Sequence, residues 1–432
     1  MKVNKIMSKL IKPETPTPEK LKIYNISFID QFKGPLNVAI ILFYESNPET
    51  TIDLQESLAK ILVQFYPLAG RFIKNDNLVN CSDQGVEFIE TEALGVELAE
   101  VVSKTDTGQL NDLLPEHYFR LDESPDSPIL SIEVTRFPSG GAVISISVSH
   151  RVFDASSLGT FVAAWSAATN PDRTVQMINP TFDIPSMLPN KDLGHGPGPV
   201  QSNNRDDEIA VKRFRFNNEA ITAMTTRISP VKTVSGVRVV CAVIAKALIR
   251  LDRVRHGRDR DFVITQPVNM RGRTVPPQPR HACGNFFISA LTRRVAAEAV
   301  GVKELVDLIG DSVRRCVGDY GEVLCRDQDG RGMILSGIGN YTEAVFNGET
   351  NVVAFSDWSR FGFYEADFGW GKLALASIGP QRLPPMFSNI VVLMSDSEGV
   401  GIEAWVMLSQ NDMLCFQQDE DIRLFQLARN SA

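Results

Sequence analysis

Of the five histidines in this chain, at positions 117, 150, 195, 256 and 281, His150 is the one placed to act as a base. It stands in Ser149-His150-Arg151-Val152-Phe153-Asp154, where an apolar strand ends and a helix is about to start. A neutral imidazole can take a proton from an alcohol or amine near pH 7. Asp154 follows four residues later, and two roles compete for it. It either orients the imidazole, or caps the helix and pairs with an arginine elsewhere. Across a strand-to-helix transition its side chain need not point back at the ring, so the structural role is the expectation. A serine nucleophile fits less well. Ser149 falls on the opposite strand face from His150 by the two-residue alternation, and there is no Gly-x-Ser-x-Gly elbow. Gly369-Trp370-Gly371-Lys372 is followed by Leu373, not the Ser or Thr that a phosphate loop requires. No metal-ligand spacing is present. A basic cluster formed by Lys246, Arg250, Arg253, Arg255, Arg258 and Arg260 is either a solvated helix end or a guide for a phosphorylated ligand.

The elements that must position His150 are legible around it. Val38 to Phe43 is an uninterrupted apolar run of strand length. Leu130 to Thr135 and Ala142 to Ser149 form a hairpin across Pro138-Ser139-Gly140-Gly141. In its second strand Ala142, Ile144, Ile146, Val148 and His150 share one face. Leu158, Phe161, Val162, Trp165 and Ala168 then recur at helical spacing. Upstream, Asp53 reads as the cap of a helix that runs to residue 65 and ends at Tyr66-Pro67-Leu68-Ala69-Gly70. Residues 12–20 read as an extended, Pro-punctuated lead-in.

Residues 181–210 are rich in Pro and Gly and then strongly polar, as a crossover linker would be. Beyond it the pattern restarts, with a strand over 212–216 and a long helix capped by Ser235. Strands follow near 262–265 and 286–291, a helix over 302–316, and strands over 390–394 and 401–408. The expected architecture is therefore α+β, in two domains of similar size, 1–180 and 211–432. The 432-residue chain is 43% hydrophobic and 22% charged, as globular proteins are. Its net charge of −8 argues against a nucleic-acid partner. Its apolar runs are too short to span a membrane. Six cysteines without a Cys-x-x-Cys pair, and no apolar leader at the amino terminus, give the expectation of free thiols in a cytoplasmic protein.

Two signatures in one order carry a family resemblance: His150-x-x-x-Asp154, and Asp367-Phe368-Gly369-Trp370-Gly371 more than two hundred residues later. With Phe65-Tyr66-Pro67-Leu68-Ala69-Gly70-Arg71, Asn269-Met270-Arg271-Gly272-Arg273 and Gly284-Asn285, the chain resembles the plant BAHD acyl-CoA-dependent acyltransferases along nearly its whole length. Within them it looks most like the alkaloid O-acetyltransferases.

The resemblance implies a two-domain, chloramphenicol acetyltransferase-like fold of mixed sheets and helices, with a solvent channel between the domains. Residues 366–388 would join the amino-terminal half. It implies acyl transfer, most simply of acetyl from acetyl-CoA to a hydroxyl of an alkaloid or similar metabolite, by a monomer without metal or covalent acyl-enzyme. His150 would be the general base and Asp154 would pair with Arg271. The Asp367–Gly371 segment would be structural or serve the CoA side, and Lys246, Arg250 and Arg253 would be candidates for the CoA phosphates. A catalytically silent CoA-binding relative and a thioester hydrolase are the alternatives. Two departures from the family pattern, Ala155 after the motif aspartate and Ala282-Cys283 before Gly284-Asn285, bear on channel shape.

Overall fold

The computed structural model describes residues 1–46, 51–104, 108–119, 124–138, 140–170, 178–191, 209–228, 234–297, 300–325, 329–379 and 389–427. Eight strands come from the amino-terminal half: β1 (Lys2–Ile11), β2 (Ile23–Asn25), β3 (Asn37–Tyr44), β4 (Arg71–Ile73), β5 (Leu78–Asn80), β6 (Val86–Leu94), β7 (Leu130–Arg136) and β8 (Ala142–Ser149). The later strands are β9 (Ile209–Phe216), β10 (Asp261–Asn269), β11 (Phe287–Leu291), β12 (Val295–Ala296), β13 (Thr350–Asp357), β14 (Leu373–Ile378), β15 (Ile390–Ser395) and β16 (Ile402–Ser409). Among the described residues they build one sheet in the order β1-β6-β7-β8-β3-β14. A second runs β11-β10-β13-β15-β16-β9 with β12 beside β10, and a small third is β2-β5-β4.

β3 and β8 are neighbouring interior strands of the first sheet. They pair antiparallel, Asn37 opposite Ser149 and Tyr44 opposite Ala142. Val38 to Tyr44 are all buried, as a strand covered on both faces must be. β14 pairs antiparallel with β3, Ser377 opposite Ile41, so a strand from late in the chain lies at the edge of a sheet built from its first 149 residues. The rest of the predicted 366–388 insertion, from residue 380, lies outside the described residues.

The helices relevant to the site are α1 (Ile52–Leu62), α2 (Leu98–Ser103) and α3 (Ala155–Thr169), then α4 (Ile184–Met187), α5 (Asn218–Ile228) and α6 (Gly236–His256). α1 starts at Thr51 rather than at Asp53, which is in its first turn. α3 packs on α1, where the Trp165 indole N–H donates to the Leu54 carbonyl at 3.1 Å. Gly159 in α3 lies under the Phe361 backbone, and a Cβ there would collide with the Phe361 carbonyl.

Period-two alternation joins the two large sheets. On β15 and β16, Val392, Met394, Trp405 and Met407 enter the core of the first sheet. Val391, Leu393, Ala404 and Val406 face the other way and pack with the apolar stripe of α6. A third cluster gathers Phe28, Ile29, Ile184, Leu188, Val268, Met270 and Phe286 from both halves. It also takes in part of the segment read as a crossover linker. The first part of that segment packs against both halves: α4 buries Ile184, and Thr181 bridges to Ala282 while Ser27 bridges to Pro189. The remainder of that segment, 192–208, lies outside the described residues.

The amino-terminal residues hold a second difference. Lys2–Ile11 form an edge strand on β6, yet they are mostly exposed and lysine-rich, so no hydrophobic period marks them. The described cysteines are free, with Cys81, Cys241, Cys283 and Cys316 buried and Cys415 exposed.

Candidate active site

β8 ends at Ser149 and the chain turns at once. The Val152 and Phe153 amides both donate to the Ser149 carbonyl at 3.1 Å, and the His150 amide donates to the Leu36 carbonyl at 2.8 Å. This tight turn places the His150 Nδ1 3.0 Å from the Phe153 carbonyl. A carbonyl only accepts, so Nδ1 carries the proton and Nε2 keeps its lone pair. Protein surrounds the imidazole, yet it retains accessible surface, as a group lining an internal passage does. Burial, reinforced by the Lys33 ammonium, lowers its pKa to about 4, against a smaller upward pull from Asp154. The ring is thus neutral at pH 7, with Nε2 free to take a proton.

Asp154 turns away from the imidazole and caps α3, its Oδ1 accepting the Ser157 amide at 2.8 Å. It also meets Arg271 in a two-pronged pair, Nη1 to Oδ2 at 2.9 Å and Nη2 to Oδ1 at 3.2 Å. Both residues are buried, at 5% and 8% exposure. The remaining guanidinium donors are used as well. Nε donates to the Ala282 carbonyl at 2.6 Å, and Nη2 to the Gly284 carbonyl at 2.8 Å. The Phe286 amide donates to Asp154 Oδ2 at 3.1 Å. Burial pushes the Asp154 carboxyl up, but the Arg271 charge and these hydrogen bonds outweigh it and hold the pKa below the usual carboxylate range. Gly284, at φ 129°, takes a backbone conformation open to glycine and strained for other residues.

Asn285 completes the frame and was not assigned a role from sequence. Its Nδ2 donates to the His150 carbonyl at 2.6 Å and to Asp30 Oδ1 at 2.7 Å. Both partners are acceptors, so the amide orientation is fixed. Burial raises Asp30 to about 7 despite hydrogen bonds from Ser27 and Asn285. Lys33 was also missed. Its Nζ sits 4.2 Å from the centroid of the Phe287 ring, and the His150 ring is 6.3 Å from the same ring. A loop lysine next to Gly34-Pro35 reads as solvated, and only the fold turns it inward.

The Asp367–Gly371 segment is a structural turn on the first sheet. The Asp367 carboxylate accepts the Gly369 and Gly371 amides at 2.9 and 3.1 Å. Phe368 packs edge-on to Trp165 at 4.8 Å, and Trp370 edge-on to Tyr44 at 5.4 Å. The Tyr44 hydroxyl donates to the Ala366 carbonyl at 3.0 Å, which fixes the start of the turn.

The basic cluster on α6 is largely engaged within the chain. Arg250 binds Asp419 and Asp421 at 2.7 and 2.6 Å, Arg255 binds Asp412, and Arg260 binds Asp252. Arg253 faces Asp259 at 3.7 Å, and Lys246 donates to the Val300 carbonyl. The chain's own carboxylates thus answer much of this charge and commit Arg250, while Arg253 stays largely exposed. Basic groups converge elsewhere. A cavity of about 500 Å³ lies against the first turns of α3, lined by Ser156, Gly159, Thr160, Arg280, His281 and Arg360 among others. Asn269 Nδ2 donates to Ser156 Oγ at 3.2 Å, which ties its rim to the Arg271 loop.

Comparison with known proteins agrees with this geometry. The Transferase family profile matches residues 1–422. A pelargonidin 3-O-(6-caffeoylglucoside) 5-O-(6-O-malonylglucoside) 4'''-malonyltransferase of Salvia splendens is 52% identical over 98% of this chain and 100% of its own length. Vinorine synthase of Rauvolfia serpentina is 32% identical over 95% of each chain. The vinorine synthase crystal structure superposes with a TM-score of 0.81 over 96% of both chains, at 31% identity. The structure of TRI101 from F. sporotrichioides, complexed with coenzyme A and T-2, shares the fold with a TM-score of 0.69 at 16% identity, covering 93% of this chain and 98% of its own. The architecture is the α+β, chloramphenicol acetyltransferase-like one.

The Asp154–Arg271 pair has a measurable consequence. Replacing Asp154 by Asn leaves a buried guanidinium without its counter-charge, a change that typically costs about 3–5 kcal/mol. Thermal melts at pH 7 should show Asp154→Asn well below the wild type. An acid whose folded pKa is depressed stabilises the fold above its unfolded pKa of about 3.9 and loses that contribution as pH falls through the folded value. The gap between the two proteins should therefore narrow below about pH 4. An equal melting temperature at pH 7 would refute the structural role.

Proposed function

This chain belongs to the BAHD family of acyl-CoA-dependent O-acyltransferases, and we propose that His150 is the general base of its reaction. The observation that carries this is the fixed tautomer, with Nδ1–H tied to the Phe153 carbonyl and Nε2 unprotonated in an interior setting. The reaction then runs in two steps. Nε2 takes the proton of the acceptor hydroxyl while its oxygen attacks the thioester carbonyl, giving a tetrahedral oxyanion. The oxyanion collapses, the carbon–sulfur bond breaks, and the imidazolium returns the proton to the departing thiolate. An imidazolium with so low a pKa is an acid strong enough to do so readily.

For the donor and acceptor, the 52%-identical relative is named for transfer of malonyl to a glucosylated pelargonidin. That favours a malonyl-type donor and a sugar hydroxyl of a glycosylated plant phenolic. Acetyl transfer to an alkaloid hydroxyl is the second reading, supported by a 31%-identical stemmadenine O-acetyltransferase of Catharanthus roseus. The same reading divides the chain into domains at 1–180 and 211–432, with β14 exchanged into the first, and has it act as a cytoplasmic monomer. Arg280 and Arg360 in the cavity beside α3 are the groups assigned to the CoA phosphates.

Initial rates with malonyl-CoA and acetyl-CoA, each against anthocyanin glucosides and alkaloid alcohols, test the assignment. His150→Ala should lower kcat by about 10²–10⁴-fold with the productive pair, and undiminished turnover would remove the base. Thiol release at full rate without any acceptor would instead mark a hydrolase.

In the same assay, the acid limb of kcat/KM belonging to His150 should fall near pH 4, not near the ordinary histidine value of about 6.5. Asp30 and Lys33 titrate near 7 and 8, so the limb is assigned by mutation. Lys33→Met removes one of the two influences that hold His150 down and should move its limb upward. A limb that stays in place would contradict the electrostatics. Arg280→Ala and Arg360→Ala should each raise the donor KM about tenfold, since a charge-assisted contact contributes roughly 1.5–3 kcal/mol. A donor KM equal to that of the wild type would place the phosphates elsewhere.

A further inference from the structure

Lys33 lies in the turn from Asp30 to Leu36, the same turn whose Leu36 carbonyl anchors the His150 amide. Its ammonium rests over the Phe287 ring that also flanks the imidazole. Like His150 it is surrounded by protein and yet keeps accessible surface, and the two groups flank one ring. The Lys33 amide donates to the Asp30 carbonyl at 2.9 Å, but among the described residues its ammonium makes no hydrogen bond or ion pair.

The carboxylates that act on Lys33 are Asp30 and Asp154, and both are committed elsewhere. Asp30 accepts the Ser27 amide at 2.6 Å and the Asn285 side chain at 2.7 Å. Asp154 accepts from Arg271, Ser157 and Phe286. A desolvated ammonium held only by a ring face is unfavourable in the free protein. Burial draws its pKa down to about 8, so the group is still mostly charged at pH 7. An anion delivered by the ligand would complete it.

The position narrows which anion that is. The CoA phosphates are separated from the thioester by the whole pantetheine arm, whereas Lys33 shares the Phe287 wall with the base. A malonyl group carries its carboxylate one methylene from the thioester carbonyl, which must itself sit beside Nε2. We propose that Lys33 is a specificity-determining residue, pairing with the distal carboxylate of a dicarboxylic acyl group so that malonyl-type CoA thioesters are selected over acetyl-CoA. This rests on the reading of His150 as the base of acyl transfer, since that is what puts the acyl carbon next to Lys33.

Calorimetric titration of the full-length protein with malonyl-CoA, acetyl-CoA and CoA tests it without any acceptor. The wild type should bind malonyl-CoA about tenfold or more tightly than acetyl-CoA, as a charge-assisted pair allows. In Lys33→Met that ratio should fall towards one, and Lys33→Arg, which keeps the charge, should recover part of it. Rates with each donor should show the same change in ratio. The proposal is overturned if the wild type shows no preference, if Lys33→Met keeps it, or if the variant weakens both donors equally, which would assign Lys33 to the oxyanion or to the acceptor. A ligand-free Lys33→Met that melts well below the wild type would make the lysine structural and would also overturn it. Failure of the base assignment is read separately: His150→Ala would keep its turnover while the donor-binding ratio remained measurable.

Discussion

The two-pronged pair between Asp154 and Arg271 is the interaction on which the arrangement of the site depends. Asp154 ends the turn that leaves the first sheet, and Arg271 follows the strand β10 of the second. Their union closes one half of the chain on the other beside the imidazole. Every oxygen and nitrogen of the pair has a further partner, and that completeness is what makes a buried charge pair tolerable. Its worth is geometric more than energetic. It holds the Ala282–Phe286 segment in place, and that segment delivers Asn285 to the His150 carbonyl.

Because Arg271 absorbs the Asp154 carboxylate, the imidazole has no acid behind it. Its Nδ1–H goes to a neutral carbonyl instead. A carboxylate in that place would favour the imidazolium and raise the pKa. Here burial and Lys33 push it down, so His150 is a weak base that is in the basic form throughout the neutral range. A weak base suits an attack in which the acceptor's proton moves as its oxygen bonds to carbon, and the acidic imidazolium suits expulsion of a thiolate.

Much of this was legible in the sequence, and the omissions have a common physical cause. The strands Asn37–Tyr44 and Ala142–Ser149 and the helix after Asp154 announce themselves by local patterns, and those elements alone place His150 at a strand end. Local geometry also raised the doubt about Asp154 as a catalytic partner, while its link to Arg271, 117 residues on, came only from family resemblance. What stayed hidden depends on distant residues. The cations of α6 looked available because Asp412, Asp419 and Asp421 lie 157 to 171 residues away in sequence and beside them in space. Lys33 drew no notice because nothing local shows that its turn wraps around the end of β8. Lys2–Ile11 was given no element because an exposed edge strand has no buried face to impose a period.

The claim at the centre is a neutral His150 with its proton on Nδ1. Nitrogen-15 chemical shifts of histidine-labelled protein read the tautomer and charge directly, and five histidines allow assignment by comparison with His150→Ala. The account predicts that at pH 7 the His150 ring is in the Nδ1–H form, with an unprotonated Nε2, and that it remains so on titration to pH 5. A proton on Nε2, or an imidazolium signal already present at pH 6, would contradict it.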